Sequence, residues 1–541
     1  MGGRHRATAA PGATEPAAPN LSVRTRRARR LRRGCVAVVV AGSALLGLSW
    51  AFANPPGAAP DEGAIYTKAM GTAFGQWRAI PLAPSHQSLS GVALFNHISF
   101  GYFLLPARYV PDPRWGCTRL RPRVAATCVD APLSHGVGAG DVGVPSYVAF
   151  YPPAVVALLG LGARLAPNAD DALYAGRLVS LLLCAGLLGV AFAVTRGRWV
   201  LVGLLAALSP MTLFLAATFN PSGVEISAGI AFAAVTVALA SRTPSRLVWW
   251  AFLASGALLA VSRPVGFVWV VMDIALLAGL IGPRAFAHLF GDRPGILSRV
   301  ALGGVALAAV STVAWESAIG HSPHSSWSQA WHEIGKSAHQ LQAIVNQFVG
   351  NFGWVDSPMP HVAMLLALSA YGALIVVALA LAGWRGRLSL LAFAAVTIVV
   401  AFVLDAAAQL PFGFGVQARY VMPVAVALPI LAGWFVDRRL AGGRHGRHRR
   451  APRQPGVARD TPWSSLLAVV CMAGFGMLDF VGWLWNSHVS AVGARGTWSF
   501  IDHARWVPPG GWLPWVVLSV AGTLLLVAGM VTASLGPPTQ A

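Results

Sequence analysis

Residues 24–53 read RTRRARRLRRGCVAVVVAGSALLGLSWAFA, seven arginines running directly into an apolar stretch at 35–52. A bilayer core needs about 20 mainly apolar residues to be crossed as a helix, and cytoplasmic flanks accumulate Arg and Lys. The segment is therefore expected to be a first transmembrane helix with a cytoplasmic N-terminus, from which Asn54 emerges outside. Ala51-Phe52-Ala53 resembles a signal-peptidase site. The long basic leader and the spans that follow favour a retained anchor.

The same pattern recurs along the chain. Of 541 residues, 56% are hydrophobic and 11% charged, against about 25% charged in a soluble domain. With a mean hydropathy of +0.61, this excludes an ordinary cytosolic enzyme and predicts a polytopic membrane protein. Forty Lys and Arg against 19 Asp and Glu give a formal charge of +21. In a soluble chain that would point to nucleic acid. Here the excess sits in the first block and in a second, Arg438 to Arg459, each abutting an apolar span, so it reports topology, with no nucleic-acid partner. Two lysines among 40 basic residues, with abundant Ala and Gly, fit a GC-rich bacterial genome.

The predicted organisation is a disordered basic cytoplasmic tail (1–34), a first transmembrane helix (35–53), an external loop with an interfacial helix (54–146), and a transmembrane core (147–437) carrying an external loop at 320–358. A basic cytoplasmic loop (438–462) and a C-terminal transmembrane hairpin (463–541) follow. Twelve apolar segments after the first loop, read backward from the second basic block, put Arg385, Arg284 to Arg299, Ser241 to Arg246 and Arg196 to Arg198 inside. Parity then requires that one segment not cross. The segment at 147–165, interrupted by Pro152-Pro153, is expected to be short, re-entrant or half-spanning.

Five cysteines stand at 35, 117, 128, 184 and 471. Three lie in apolar runs and no zinc pattern is present. Cys117 and Cys128 share the external loop, where an oxidising exterior favours a structural disulfide over two free thiols.

With this topology Asp61, Glu62, Tyr151, Asn220, Glu225, Arg263, Glu316, Arg419 and Tyr420 converge on the external ends of spans. Ionisable groups at membrane depth cost several kcal/mol unless they pair or face water, so the cluster is a candidate site. A carboxylate there suits general-base work and the planar fork of Arg suits phosphate. Plainer roles compete: Asp61 and Glu62 also make a good helix N-terminus, and an external Arg can be an interfacial anchor. Asp273, Asp405 and Asp479 lie within spans, where pairing with an Arg of the bundle is the first expectation.

Several short motifs occur in a recognisable order: Pro60-Asp61-Glu62, Phe150-Tyr151-Pro152-Pro153, Gly176-Arg177-Leu178, Ser209-Pro210-Met211, Asn220 to Glu225, Arg419-Tyr420 and Trp506-Val507-Pro508-Pro509. From residue 54 onward the chain resembles a bacterial multi-spanning membrane family of unknown function, the DUF2142-like proteins, related to the GT-C glycosyltransferases. The resemblance implies an all-α GT-C-like bundle of about 11–13 transmembrane helices in the bacterial plasma membrane. It implies Asp61 as catalytic acid or base with Glu62 beside it, and substrate binding by Tyr151, Arg177, Asn220, Glu225, Arg263, Arg419 and Tyr420. The partners it implies are a polyprenyl-phosphate-linked sugar, an envelope glycan or lipid acceptor, and membrane lipids.

Two features depart from that pattern. The His expected near Tyr66 is missing, and no Asp-x-Asp motif stands in the loops, so no metal ligands are assigned and a divalent metal stays an open cofactor. The leading function is glycosyl transfer from the lipid donor outside the membrane. The alternatives are a transporter or lipid-carrier flippase, and a non-catalytic envelope-assembly protein. For transfer, the 320–358 loop with Trp327, Trp331 and Trp354, together with Pro508 to Gly511, should roof the site. Sugar, acceptor and oligomeric state are not legible.

Overall fold

The computed structural model describes residues 21–82, 100–130, 140–241, 244–292, 295–319, 327–409, 417–442 and 462–536. Helix α1 (Leu21–Ala53) is continuous. The basic block from Leu21 onward is therefore helical, which corrects the expectation of a disordered tail as far as residue 34. Arginine is a good helix former and the apolar span propagates through it. Arg32 donates to the carbonyls of Phe192 and, at 2.7 Å, of Thr195, satisfying acceptors that another helix leaves open at its C-terminal end.

The remaining helices are α2 (Glu62–Ala73), α3 (Pro153–Ala163), α4 (Ala169–Val194), α5 (Arg198–Ala207), α6 (Pro210–Ala216), α7 (Pro221–Ser241), α8 (Arg246–Ser262), α9 (Gly266–Ile281) and α10 (Pro283–Ala287). After them come α11 (Ile296–Ile319), α12 (Trp327–His339), α13 (Leu341–Val349), α14 (His361–Leu381), α15 (Trp384–Gln409), α16 (Ala418–Ala425), α17 (Ala427–Gly442), α18 (Pro462–Val492) and α19 (Trp512–Leu535). Among the described residues nine helical stretches are long and apolar enough to cross a membrane, α16 and α17 forming one of them. The pair α5–α6, bent by 61°, makes a tenth. Its break is written locally: Ser209 accepts from the Thr212 amide and Pro210 takes the first helical position. Helices α8 and α9 are apolar but shorter, at 17 and 16 residues. The protein is an all-α polytopic membrane protein.

The eleven-residue α3 rises about 16 Å, roughly half the depth of a bilayer core. It stays beside α2, with Arg164 donating to Ala73 O at 2.9 Å and Gly160 seated against the Ala69 backbone. Helix α7 is the axis of the bundle, buried over nearly all its length. Helices α1 and α19 touch backbone to backbone, since a Cβ on Gly42 would lie 2.5 Å from Leu526 N and one on Gly522 2.4 Å from Leu46 N.

The segment between α1 and α3 contains a sheet that the sequence reading did not foresee: β1 (Ile80–Pro81), β2 (Gly101–Pro106) and β3 (Asp141–Ser146), antiparallel in that order, with Gly101 opposite Ser146 and Pro106 opposite Asp141. Phe103 and Leu105 face inward while Tyr102 and Leu104 face out, the two-residue period of a half-covered strand. Cys117 and Cys128 are joined in a disulfide, Cα–Cα 6.2 Å. A second short hairpin pairs β4 (Asn351–Phe352) with β5 (Ser357–Pro358).

Candidate functional site

The segment 54–61 leads from α1 into α2 and is pinned from several sides. Asn486 donates to Asn54 Oδ1 at 2.7 Å, Asn220 Nδ2 to Pro60 O at 2.9 Å, and Trp354 Nε1 to Gly57 O at 3.1 Å. Gly57 has φ +72°, and a Cβ there would sit 2.4 Å from Gly116 N, so only glycine fits both the turn and the approach. The segment ends on Asp61 at φ 65°, one of three non-glycine residues with positive φ among those described. Left-handed backbone is uncommon outside glycine and persists where the surroundings over-determine it.

That conformation sends two adjacent carboxylates in different directions. Glu62 is fully buried and meets Arg177, also fully buried: Nε donates to Oε1 at 2.8 Å and Nη2 to Oε2 at 2.7 Å. The Gly57 and Phe219 amides supply two further bonds, at 3.1 and 2.9 Å. The rest of the Arg177 fork binds Ala51 O, Asn54 O and Pro55 O at 2.7–2.9 Å. Every oxygen and donor is committed. Glu62 and Arg177, expected at the catalytic and substrate positions, are bonded to each other here, and together they clamp the end of α1 onto α4. Asn220 belongs to the same scaffold, its Oδ1 accepting from the Ser222 amide at 2.9 Å.

Asp61 makes no side-chain cap on α2. Its Oδ2 lies 2.6 Å from Arg419 Nη2 and its Oδ1 accepts from the Tyr147 hydroxyl at 2.8 Å, while the side chain stays 14% exposed against 0% for Glu62. Burial by itself would raise the Asp61 pKa, but the charge of Arg419, hydrogen bonds from Tyr147 and Arg419, and the more distant charge of Arg263 outweigh it, and the carboxyl is held below its usual range. Arg419 is steadied by Gln417 Oε1 at 2.7 Å and Tyr420 Oη at 3.1 Å.

Arg263 approaches the same place from the end of α8. Its guanidinium lies 4.6 Å from the Tyr420 ring centre and 5.5 Å from that of Tyr151, and it donates to Tyr151 Oη at 3.3 Å and Ser222 Oγ at 3.2 Å. Glu225 is 3.9 Å away, and among the described residues neither its oxygens nor Arg263 Nε finds a hydrogen bond. Tyr420, 5.0 Å from the Arg419 guanidinium, thus stands between two cations. The result is one partly open carboxylate in a cluster with two arginines and three tyrosines, Tyr147, Tyr151 and Tyr420.

Sequence reasoning missed Tyr147, Gln417, Ser222 and Lys68. Lys68, on α2, is fully buried, donates to Ala149 O at 2.6 Å and lies 5.6 Å from the rings of Phe103 and Trp315. Burial lowers its pKa to about 8, with Glu316 opposing the shift. Its signal was its rarity, as one of two lysines. Asp273 and Asp479 are buried without an arginine partner among the described residues, which corrects the expected pairing; the side chain of Asp405 lies outside the described residues. Trp354 reaches the 54–61 segment, and Gln347 Oε1 accepts from the Ala418 amide at 2.9 Å, so residues 341–358 cover this end of the site. Residues 320–326 and the side chain of Trp327 lie outside the description, and Trp331 is exposed. Pro509 O accepts from Trp515 Nε1 at 2.8 Å, and Trp515 stacks on Phe52, so the Pro508 to Gly511 turn packs beside the end of α1. Among the described residues no group of three or more His, Cys, Asp or Glu could hold a metal.

Fold and site define a polytopic membrane protein with a cluster of buried charged side chains where α2, α8 and α16 meet. The chain belongs to the family described as predicted membrane protein (DUF2142), whose profile matches residues 44–428. Among solved structures it is similar to ArnT from Cupriavidus metallidurans in the apo state, at 15% identity and a TM-score of 0.43 over 92% of this chain and 77% of that one. It is likewise similar to the same protein bound to undecaprenyl phosphate, at 14% identity and a TM-score of 0.41 over 93% and 78%. No curated protein matches the chain.

Proposed function

We propose that the protein is a membrane glycosyltransferase of GT-C type, moving a sugar from a polyprenyl-phosphate donor to an envelope acceptor on the face that holds Asp61, the external face of a bacterial plasma membrane. The observation that carries this reading is the Asp61–Arg419 pair at 2.6 Å, with Arg263 next to it and the carboxylate partly open. An acceptor hydroxyl oxygen attacks the anomeric carbon, the bond from that carbon to the phosphate oxygen breaks, the polyprenyl phosphate leaves with the bonding pair, and Asp61 takes the hydroxyl proton. Arg419 and Arg263 hold the phosphate and stabilise the charge that grows on it. Donor binding also activates the base: in the free protein Arg419 holds Asp61 as a weak base, and a phosphate that draws the guanidinium away raises its basicity. Tyr147 keeps the carboxylate oriented.

The test is envelope glycan composition in a deletion strain carrying the wild type, Asp61→Asn or Arg263→Lys. The wild type should restore the missing sugar. Asp61→Asn should insert normally and restore none of it, and Arg263→Lys should fail because Lys lacks the bidentate fork. Full restoration by Asp61→Asn ends the proposal. The buried carboxylates of Asp273 and Asp479, with no arginine partner among the described residues, favour a flippase as the second reading; there, Asp273→Asn would abolish function and Asp61→Asn would not.

A further inference from the structure

On the opposite face, where Arg198, Arg246, Arg284 and Arg387 also stand, the ends of α9, α14 and α17 and the start of α15 enclose a cleft of about 410 Å3. Arg385, Arg438 and Arg439 line it with Ser389 and Trp434, and no carboxylate is among its lining residues. The nearest acid in sequence, Asp437, is turned away to accept from the Trp199 and Val200 amides at 3.1 and 2.9 Å. Arg387 is committed to the Leu379 and Ala380 carbonyls. Among the described residues the guanidinia of the three lining arginines have neither a hydrogen bond nor an ion pair, the Ser389 hydroxyl bonding only the Arg385 carbonyl; Arg438 rests 4.6 Å from the Trp434 ring centre and Arg385 5.4 Å from that of Trp384. Gly279, Gly282 and Gly383 open on empty space, leaving bare backbone on the floor of the cleft.

Three uncompensated guanidinia around a cleft at the end of membrane spans form a phosphate-sized site at headgroup depth. Outward-facing Leu388, Leu391, Val376 and Val377 continue from it along α15 and α14, the direction acyl chains would take, and exposed Trp384 marks the interface. We propose that this cleft binds the phosphate headgroup of an anionic membrane lipid, separately from the pocket around Asp61. The lipid neutralises the arginines and fastens α15 to α17.

The experiment is native mass spectrometry of the full chain released from bilayers of equal phosphatidylglycerol and phosphatidylcholine. The wild type should retain phosphatidylglycerol over phosphatidylcholine by about tenfold, equivalent to about 1.4 kcal/mol. The triple variant Arg385→Gln/Arg438→Gln/Arg439→Gln should lose that preference. Arg385→Gln alone changes an exposed side chain that bears no fold contact beyond Trp384 and should weaken the preference; Arg246→Gln, on the same face outside the cleft, should leave it intact. Equal retention of both lipids by the wild type, or an unchanged preference in both cleft variants, overturns the site. Displacement of the retained lipid by millimolar inorganic phosphate as readily as by added phosphatidylglycerol overturns the lipid assignment, because the ligand is then free phosphate.

Discussion

Replacing Arg177 by Met separates a structural clamp from a substrate ligand. The substitution keeps the length and apolar stem of the side chain but removes the donors that hold Glu62, Ala51 O, Asn54 O and Pro55 O. Breaking a buried ion pair from one side costs about 3–5 kcal/mol, because the remaining charge is left uncompensated. The Gly57 and Phe219 amides still serve Glu62, which moderates the loss. The three carbonyls, at about 1 kcal/mol each, restore it toward the upper end. With an unfolding entropy of about 2.1 cal/mol/K per residue, a chain of 541 residues converts about 4 kcal/mol into a fall of about 4 °C in Tm. Buried free thiols at Cys35 and Cys184 provide the assay: a thiol-reactive dye reports their exposure as the detergent-solubilised protein is heated. The double variant Glu62→Gln/Arg177→Met should melt above the sum of the two single losses, since it removes the orphaned charge. If Arg177→Met melts like the wild type while complementation fails, Arg177 binds substrate and the clamp assignment is wrong.

Three further outcomes follow from the geometry. Reducing the Cys117–Cys128 bridge, which spans eleven positions, should destabilise the external loop by about 3 kcal/mol, read as faster proteolysis of residues 100–130 in intact proteoliposomes; an unchanged rate argues against it. Gly522→Val should overpack the contact between α1 and α19 by about 1–3 kcal/mol and lower Tm, whereas Gly474→Ala, where an added Cβ meets no atom of another element within 4 Å, should not; equal melting of the two would refute backbone contact between these helices. Because the Asp61 pKa is depressed in the folded state, its contribution to stability is complete above the ordinary carboxylate value of about 3.9 and is lost as pH falls through the folded value. Tm measured from pH 6 to pH 3 should therefore decline less steeply below about pH 4 in Asp61→Asn than in the wild type, and parallel curves would mean that the Arg419 pair adds no stability.

The membrane fold was legible because hydropathy and the placement of arginine are local properties. Parity asked for one segment near Pro152-Pro153 that does not cross, and the helix that stands there, α3, has only eleven residues. What escaped was written in relationships. The three-stranded sheet depends on pairing Gly101 with Ser146 across residues with little alternating pattern of their own, and Pro81 and Pro145 within its strands argue against them locally. The helical state of the basic block escaped because polarity and arginine-rich composition resemble a tail, while the helix is held by its continuation into the span and by Arg32 reaching Thr195.

The candidate site shows the same division more sharply, through two neighbours. Asp61 and Glu62 have the same charge, adjacent positions and equal standing as acids at a helix start, and no sequence rule separates them. The separation comes from the left-handed turn at Asp61, which directs its carboxylate toward Arg419 from α16 and leaves Glu62 directed at Arg177 from α4. Three arginines and three acids were visible in the sequence, but two of the three pairings, Arg177 with Glu62 and Arg419 with Asp61, join residues more than 100 positions apart. The resulting pairs differ in chemical capacity. Arg177–Glu62 is sealed and saturated, so an anion entering it would have to break every bond of the clamp. Arg419–Asp61 is tight but partly open, and Arg263 with Glu225 is loose, at 3.9 Å with unfilled hydrogen-bonding capacity. An anionic donor can exchange with the last two pairs at far smaller cost than with the first, and this asymmetry makes Asp61, not Glu62, the acid whose loss should stop transfer.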